Sequence, residues 1–175
     1  MKKEQVFIGV DVSKATLDIS VIADIGWEHQ QISNQVIGIK AFFRKTCKQF
    51  KEADIYVCME NTGQYNWPCF EALEGFDLKL YVVNALHLKR SLGMVRGKSD
   101  KVDSMRIADH IKRFHSKYQT YQVPRKVIRS IQCLLALRSR LIRSKKTFVV
   151  PMGEITVLNT KMASQVRKQS NKTIV

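Results

Sequence analysis

The sequence has no long apolar run and no cysteine pattern typical of metal or redox modules. Its hydrophobic stretches stay well short of the roughly 18 residues that span a membrane, and the charged N-terminus lacks the apolar core of a signal peptide. Its four cysteines show no Cys-x-x-Cys spacing. We therefore expect no membrane partner, and we predict a cytoplasmic protein with reduced thiols.

Acidic residues become scarce in the second half of the chain. Residues 1–83 carry 9 basic and 11 acidic side chains, whereas residues 84–175 carry 21 and 4, a net charge of +17. A field of this strength attracts polyanions, and without a membrane segment beside it the favoured partner is nucleic acid. We expect the nucleic-acid-binding residues to include Lys89, Arg90, Arg96, Lys98, Arg140 and Arg143.

The order of apolar patterns predicts an α/β fold with one mixed five-stranded sheet and flanking helices. Three strands, a helix, a strand, a helix and a fifth strand follow one another over residues 5–12, 16–22, 27–33, 37–50, 54–59, 66–73 and 78–83. The first three strands are joined by short turns and are expected to be antiparallel. Strand, helix, strand with apolar strands is typical of parallel pairing. This is the ribonuclease-H-like, or RuvC-like, plan.

Helices are predicted for the basic half. Residues 85–92 and 100–114 read as helices on either side of a basic loop, and a basic amphipathic helix follows over 123–150 with near-heptad apolar spacing. Residues 151–175 have no strong period and are expected to form a polar basic tail. We therefore predict an α/β domain over residues 1–122, then the start of a coiled-coil region, then the tail.

Four carboxylates occupy places where such a fold brings side chains together. Asp11 lies in an apolar run, and Gly9 leaves space on the same strand face. Glu60 ends a strand at the carboxyl edge, where open sheets bind ligands, and Asp100 and Asp103 project from one helix face. Oxygen ligands suit Mg²⁺ or Mn²⁺, and two such ions about 3.5–4 Å apart can clamp a phosphodiester. The residues predict a metal-dependent enzyme of nucleic-acid phosphate chemistry.

Each acid also has an ordinary interpretation. Asp11 alone fits a surface or turn residue, Glu60 a helix cap, and Asp100 with Asp103 a capping pattern at a helix start. The histidines lack the i, i+4 spacing of helical zinc ligands. The serine and lysine after Asp11 favour a turn over a nucleophile, because adjacent strand residues face opposite sides. The order of the four acids along the predicted fold favours a joint function.

Three motifs occur in order along the chain. They are Gly-Val-Asp-Val-Ser-Lys from residue 9, Met-Glu-Asn-Thr-Gly-Gln-Tyr from residue 59, and Gly-Lys-Ser-Asp-Lys-Val-Asp-Ser-Met-Arg-Ile-Ala from residue 97. Over about residues 6–148 the sequence resembles the DEDD-type transposases of the insertion sequence 110 group, relatives of the pilin-gene DNA invertases. The resemblance implies a RuvC-like domain over residues 1–122 that binds Mg²⁺ or Mn²⁺ through these catalytic acids: Asp11, Glu60, Asp100 and Asp103.

The resemblance also implies an activity and partners. Members of the group cut and exchange DNA strands when an insertion sequence moves, some are directed by a structured guide RNA, and the full-length proteins are expected to be homo-oligomers. The family continues into a C-terminal domain that supplies a serine nucleophile, so we expect this chain to be truncated before that domain and incomplete for strand exchange. A stand-alone Holliday-junction nuclease and a non-catalytic nucleic-acid-binding remnant remain open as alternatives.

Overall fold

The computed structural model describes residues 3–24, 26–92 and 100–173. The chain divides into two compact units, Met1–Val123 and Pro124–Val175. The first unit holds the sheet and the four acids, and the second is helical.

The first unit is built on a five-stranded sheet with the order β3-β2-β1-β4-β5. Its strands are β1 Gln5–Val12, β2 Thr16–Ala23, β3 Gly26–Ser33, β4 Asp54–Glu60 and β5 Lys79–Val83. The pairs β1–β2 and β2–β3 are antiparallel, whereas β1–β4 and β4–β5 are parallel. This order and these directions are those of the ribonuclease-H-like fold. The predicted mixed sheet is confirmed.

Helices cover both faces of the sheet. The helices of the first unit are α1 Val36–Gln49, α2 Trp67–Leu73, α3 Ala85–Leu92 and α4 Asp100–Phe114. Alternate residues of β1 divide between two cores, because successive side chains of a strand point to opposite faces. Val6, Ile8 and Val10 pack with α1 and α2, whereas Phe7 packs with α3 and α4. By the same alternation Asp11 belongs to the face that α4 covers.

Helix α4 lies directly on β1 at Gly9. A Cβ atom there would overlap the carbonyl oxygen of Ser104 and the backbone nitrogen of Ala108, and it would be 2.9 Å from Ala108 Cα. Ser20, the partner of Gly9 on β2, shares a 2.8 Å hydroxyl hydrogen bond with Ser104, and both serines are fully buried. These small side chains determine where the first turn of α4 lies relative to the end of β1.

The second unit contains α5, Lys126–Leu158, and α6, Thr160–Thr173. The expected helix end near residue 150 and the expected irregular tail over 151–175 are wrong, because α5 continues through Pro151 and α6 follows at once. Proline is disfavoured in the interior of a helix, but Pro151 does not end α5. The oxygen Oδ1 of Asn159 caps α6 by accepting 3.1 Å bonds from two backbone amides, which makes this asparagine the helix-start signal in the segment. The predicted division into domains stays a prediction.

The four cysteines are free thiols: Cys47, Cys58, Cys69 and Cys133. Burial raises the pKa of the Cys58 and Cys69 thiols to about 12, so neither is a reactive thiolate near neutral pH. Within the described part of the chain, no helix has the length and apolarity to cross a bilayer.

Candidate metal centre

A row of polar side chains crosses the α4 face of the sheet where the strands end. Asp11 is the Cα partner of Asp18 on β2, and Asp18 is the partner of Gln31 on β3. Glu60 is the last residue of β4, the parallel neighbour of β1 on its other side. The carboxyl ends of β1 and β4 therefore bring Asp11 and Glu60 to the same edge, as predicted from the order of the strands.

Helix α4 contributes two more carboxylates from its first turn. Asp100 is its first residue and is exposed, and Asp103 is half-buried one turn later. Acids are favoured at this end of a helix because the helix dipole is positive there. Oδ1 of Asp103 accepts a 2.9 Å hydrogen bond from Nη1 of Arg106. All four predicted acids thus lie around the end of β1.

Burial and the negative charges at this edge act together on Asp11. The pKa of its carboxyl rises from 3.8 to about 6, first because of burial and second because of repulsion by Asp103, Asp100, Glu60 and Asp18. A nearby positive charge would favour the ionised form instead. The chemistry of the donor set therefore fits a divalent cation, since carboxylate oxygens are the ligands that Mg²⁺ and Mn²⁺ take in proteins.

The carboxylates share one edge but are not arranged as a finished ligand set. Across residues 3–24, 26–92 and 100–173, no three His, Cys, Asp or Glu side chains are close enough to hold one ion. Mutual repulsion separates like charges, and the bond from Arg106 occupies an oxygen of Asp103. The other carboxylate oxygen of Asp103 can still bind a cation while Oδ1 accepts the bond from Arg106.

Asp18 is a member of this cluster that lies in none of the three motifs. It is buried, bonded to Nε2 of His29 at 2.9 Å, and accepts a 3.0 Å bond from Nε2 of Gln31. A signal for it exists in the sequence, because the short turn between the first two strands sets a register that places residue 18 opposite residue 11. The alternating pattern alone marks residue 18 only as a polar strand position.

The serine that follows Asp11 closes the turn between β1 and β2. The hydroxyl Oγ of Ser13 donates to the carbonyl oxygen of Thr16 at 2.8 Å and accepts from the Thr16 amide at 3.1 Å. These bonds confirm the turn role predicted for this serine.

The predicted nucleic-acid-binding residues fall in different parts of the chain. Arg140 and Arg143 are exposed on α5. The side chains of the other four lie outside the described residues: Lys89, Arg90, Arg96 and Lys98. Nucleic-acid binding by this set stays a prediction.

Comparisons with known proteins identify the family. The model of the DEDD transposase family of the insertion sequence 110 group, described as "Transposase", matches residues 8–152. No match is found among curated proteins. A solved structure of T. thermophilus RuvC in complex with a Holliday junction substrate is similar, with 13% identity and a TM-score of 0.49 over 68% of this chain and 99% of that chain. The strand order itself establishes the fold. Because the family match spans most of the sequence, the chain belongs to the DEDD transposase family of the insertion sequence 110 group.

Proposed function

We propose that Asp11, Glu60, Asp100 and Asp103 are the metal-binding and catalytic residues of this transposase domain, and that with Mg²⁺ or Mn²⁺ it cleaves a DNA strand. The raised pKa of Asp11 is the observation that carries the proposal, because burial and the charges of the other acids act together on this one carboxyl. A divalent ion would relieve that repulsion. Asp18, next to Asp11 on the sheet, adds to the negative field that attracts such an ion.

The sheet and helix α4 have separate tasks in this proposal. A bound divalent ion polarises a phosphate and lowers the pKa of bound water, which provides a nucleophile for hydrolysis. Asp11 pairs with β2 and Glu60 pairs with β5, so the sheet supports the backbone of each residue. Asp100 and Asp103 lie on the first turn of α4, and Arg106 engages only one of the two carboxylate oxygens of Asp103.

The proposed substrate is DNA. The net charge of +17 over residues 84–175 supports a polyanionic partner, and Arg140 and Arg143 are exposed cations in that half. Membership of the transposase family favours this function over a stand-alone Holliday-junction nuclease. A structured guide RNA and self-association, which the family resemblance implies, remain predictions.

The proposed site is tested by metal-linked stability. A ligand that binds only the folded state stabilises it by about 2.7 kcal/mol at 100 times its dissociation constant. Mn²⁺ should therefore raise the melting temperature of the wild-type chain. An Asp11→Asn, Asp103→Asn double variant should lose this response, because two of the four carboxylates lose their charge. The measurement is thermal unfolding with and without Mn²⁺.

Asp109→Asn is the matched control. Asp109 lies on the same helix and, like Asp103, pairs with an arginine, Arg113, at 2.8 Å. This variant should keep the wild-type response to Mn²⁺. The same proteins should show metal-dependent cutting of labelled DNA in the wild type and the control and none in the double variant. An undiminished metal response in the double variant would remove these acids from the proposal.

A further inference from the structure

Two buried asparagines connect the strand ends that carry Asp11 and Glu60. Asn34 follows β3 and is 9% exposed, and Asn66 precedes α2 and is fully buried. Neither residue belongs to the three acidic motifs. Their hydrogen bonds nevertheless run along the edge of the sheet where the carboxylates lie.

Asn34 joins two loops through one amide nitrogen. Its Nδ2 donates to the carbonyl oxygen of Ser13 at 2.8 Å and to that of Tyr65 at 3.0 Å. Its backbone amide donates to the carbonyl of Ala15 at 2.9 Å. Ser13 lies two residues after Asp11, and Tyr65 lies in the turn that follows β4. The loop after β1 is therefore tied to the loop after β4.

Asn66 continues the connection to Glu60 itself. Its Nδ2 donates to the backbone carbonyl of Glu60 at 2.8 Å. Its Oδ1 accepts a 2.8 Å bond from the Thr62 amide and a 2.6 Å bond from the Thr62 hydroxyl. Because Tyr65 and Asn66 are adjacent in the chain, these bonds form an unbroken series from the loop after Asp11 to the backbone of Glu60.

The unpaired oxygen of Asn34 indicates that this side chain is present for the two bonds that its nitrogen makes. Among the described residues, Asn34 Oδ1 is a buried acceptor without a hydrogen-bond donor. An unsatisfied buried acceptor destabilises a fold. An asparagine that only filled space at position 34 would therefore cost more than an apolar side chain. Its two donated bonds reach segments that are far apart in sequence. Asn34 therefore connects the loop after β1 to the loop after β4.

We infer that Asn34 and Asn66 are positioning residues that hold the Asp11 and Glu60 carboxylates at a separation from which both can bind the same metal centre. The inference rests on the proposed function of these acids. The amide nitrogens of both asparagines bond to backbone carbonyls, so neither asparagine is proposed as a metal ligand. Both act through the backbone, as groups outside the ligand shell do when they orient ligands. Without them, the sheet would still pair, but the two strand ends would be free to shift by the small amounts that weaken a site.

The test measures Mn²⁺ affinity of the full 175-residue chain by calorimetry, well below the melting temperature. Asn34→Ala and Asn66→Ala should each raise the dissociation constant by about 10–100-fold, the usual effect of removing a group that orients a ligand. Ile39→Val is the control, because Ile39 is fully buried in α1 and none of these hydrogen bonds involves it. It should leave the dissociation constant unchanged. A merely structural role would lower the melting temperature of the asparagine variants but leave their dissociation constants at the wild-type value.

Further variants separate the possible outcomes. If Asn34→Ala does not fold, Asn34→Ser keeps one donor and should give a smaller rise in the dissociation constant. Wild-type affinity in folded Asn34 variants, together with lost affinity in Asp11→Asn, would overturn this inference alone. Equal binding of Mn²⁺ by the wild type and by Asp11→Asn would overturn the proposed function, and the inference with it.

Discussion

Asp11 combines burial with several negative neighbours at a fixed place in the sheet. Its backbone is paired with β2, and the preceding residue, Val10, is paired with β4, so the carboxyl cannot move away as a surface side chain would. Its negative charge is therefore unfavourable, and either a proton or a cation relieves it. Which one does so depends on pH and on the metal concentration, and this links the chemistry of the site to the stability of the fold.

The pH dependence of stability follows from Asp11 in a metal-free buffer. The pKa is about 6 in the folded protein, against an ordinary value of 3.8. Folding therefore favours the protonated form, and the stability contributed by this group is fully present below about pH 3.8 and is lost as pH rises through about 6. Near pH 8 with EDTA, Asp11→Asn should be more stable than the wild type by on the order of 1 kcal/mol, a value reduced for partial solvent screening. Near pH 4 the difference should vanish.

Urea unfolding at both pH values measures this effect. Asp109→Asn is again the control, because it removes an ion pair with Arg113 and should gain no stability near pH 8. A wild type that is as stable as Asp11→Asn near pH 8 would show that the burial and repulsion at Asp11 are weaker than the structure indicates.

At the scale of elements, strand β1 and helix α4 determine the geometry of the candidate site. The strand supplies Asp11 and the helix supplies Asp100 and Asp103, so the distance between the two elements sets the distance between the acids. That spacing depends on the absence of a side chain at Gly9 and on the buried bond between Ser20 and Ser104. Because the site is built from two elements, a change in the packing of α4 on β1 changes the spacing of the carboxylates.

Gly9→Ala should displace α4 and weaken metal binding. Its methyl group would overlap the backbone of α4 at Ser104 and Ala108, and backbone atoms cannot rotate away as the end of a side chain can. Overpacking of this kind costs about 1–3 kcal/mol. We expect a lower melting temperature and a smaller stabilisation by Mn²⁺, both measured by thermal unfolding.

Gly38→Ala is the corresponding control. Gly38 lies in helix α1, where an added Cβ would approach only Ser33, with Oγ at 3.3 Å and the carbonyl oxygen at 3.8 Å. Alanine at a compatible helical position stabilises by about 0.4–1 kcal/mol, and the response to Mn²⁺ should be unchanged. A wild-type response in Gly9→Ala would mean that α4 can shift without moving its acids relative to Asp11.

At the scale of the whole molecule, charge is distributed unevenly along the chain. Residues 1–83 have a net charge of −2 and residues 84–175 have +17. Two of the four candidate ligands therefore lie in the slightly acidic part and two lie at the start of the strongly basic part. Exposed cations extend along α5, Arg140 and Arg143 among them. The candidate metal ligands therefore come from both parts of the chain, whereas the excess of positive charge lies in the second part alone.

Binding to DNA should depend on the second half of the chain. Replacing Arg140 and Arg143 by serine should weaken affinity for duplex DNA and flatten its salt dependence. The slope of log affinity against log salt should fall by about 0.9 for each phosphate that the protein no longer neutralises. Fluorescence anisotropy over a salt series measures both quantities. Arg44→Ser with Lys45→Ser is the control, since these exposed residues lie on α1 in the other half. Equal slopes in all three proteins would contradict the prediction.

The elements of the first unit and the four acids could be predicted because their signals are local. The alternation of β1 assigns its residues to two faces, and the three motifs mark Asp11, Glu60 and the first turn of α4. Asp18 was missed because its role depends on register with β1, although the turn length contains that information. The end of α5 was misjudged because residues 151–175 show no strong apolar period, whereas α5 continues to Leu158.

The sequence by itself determined the family, the mixed sheet and the residues that carry the candidate chemistry, because periodicity and motif spacing are properties of neighbouring positions. Only the tertiary structure decided how the acids meet. Asn34 bonds to carbonyls 21 and 31 positions away, and Ser20 bonds to a hydroxyl 84 positions away. Such bonds depend on the packing of whole elements, and no local pattern encodes them.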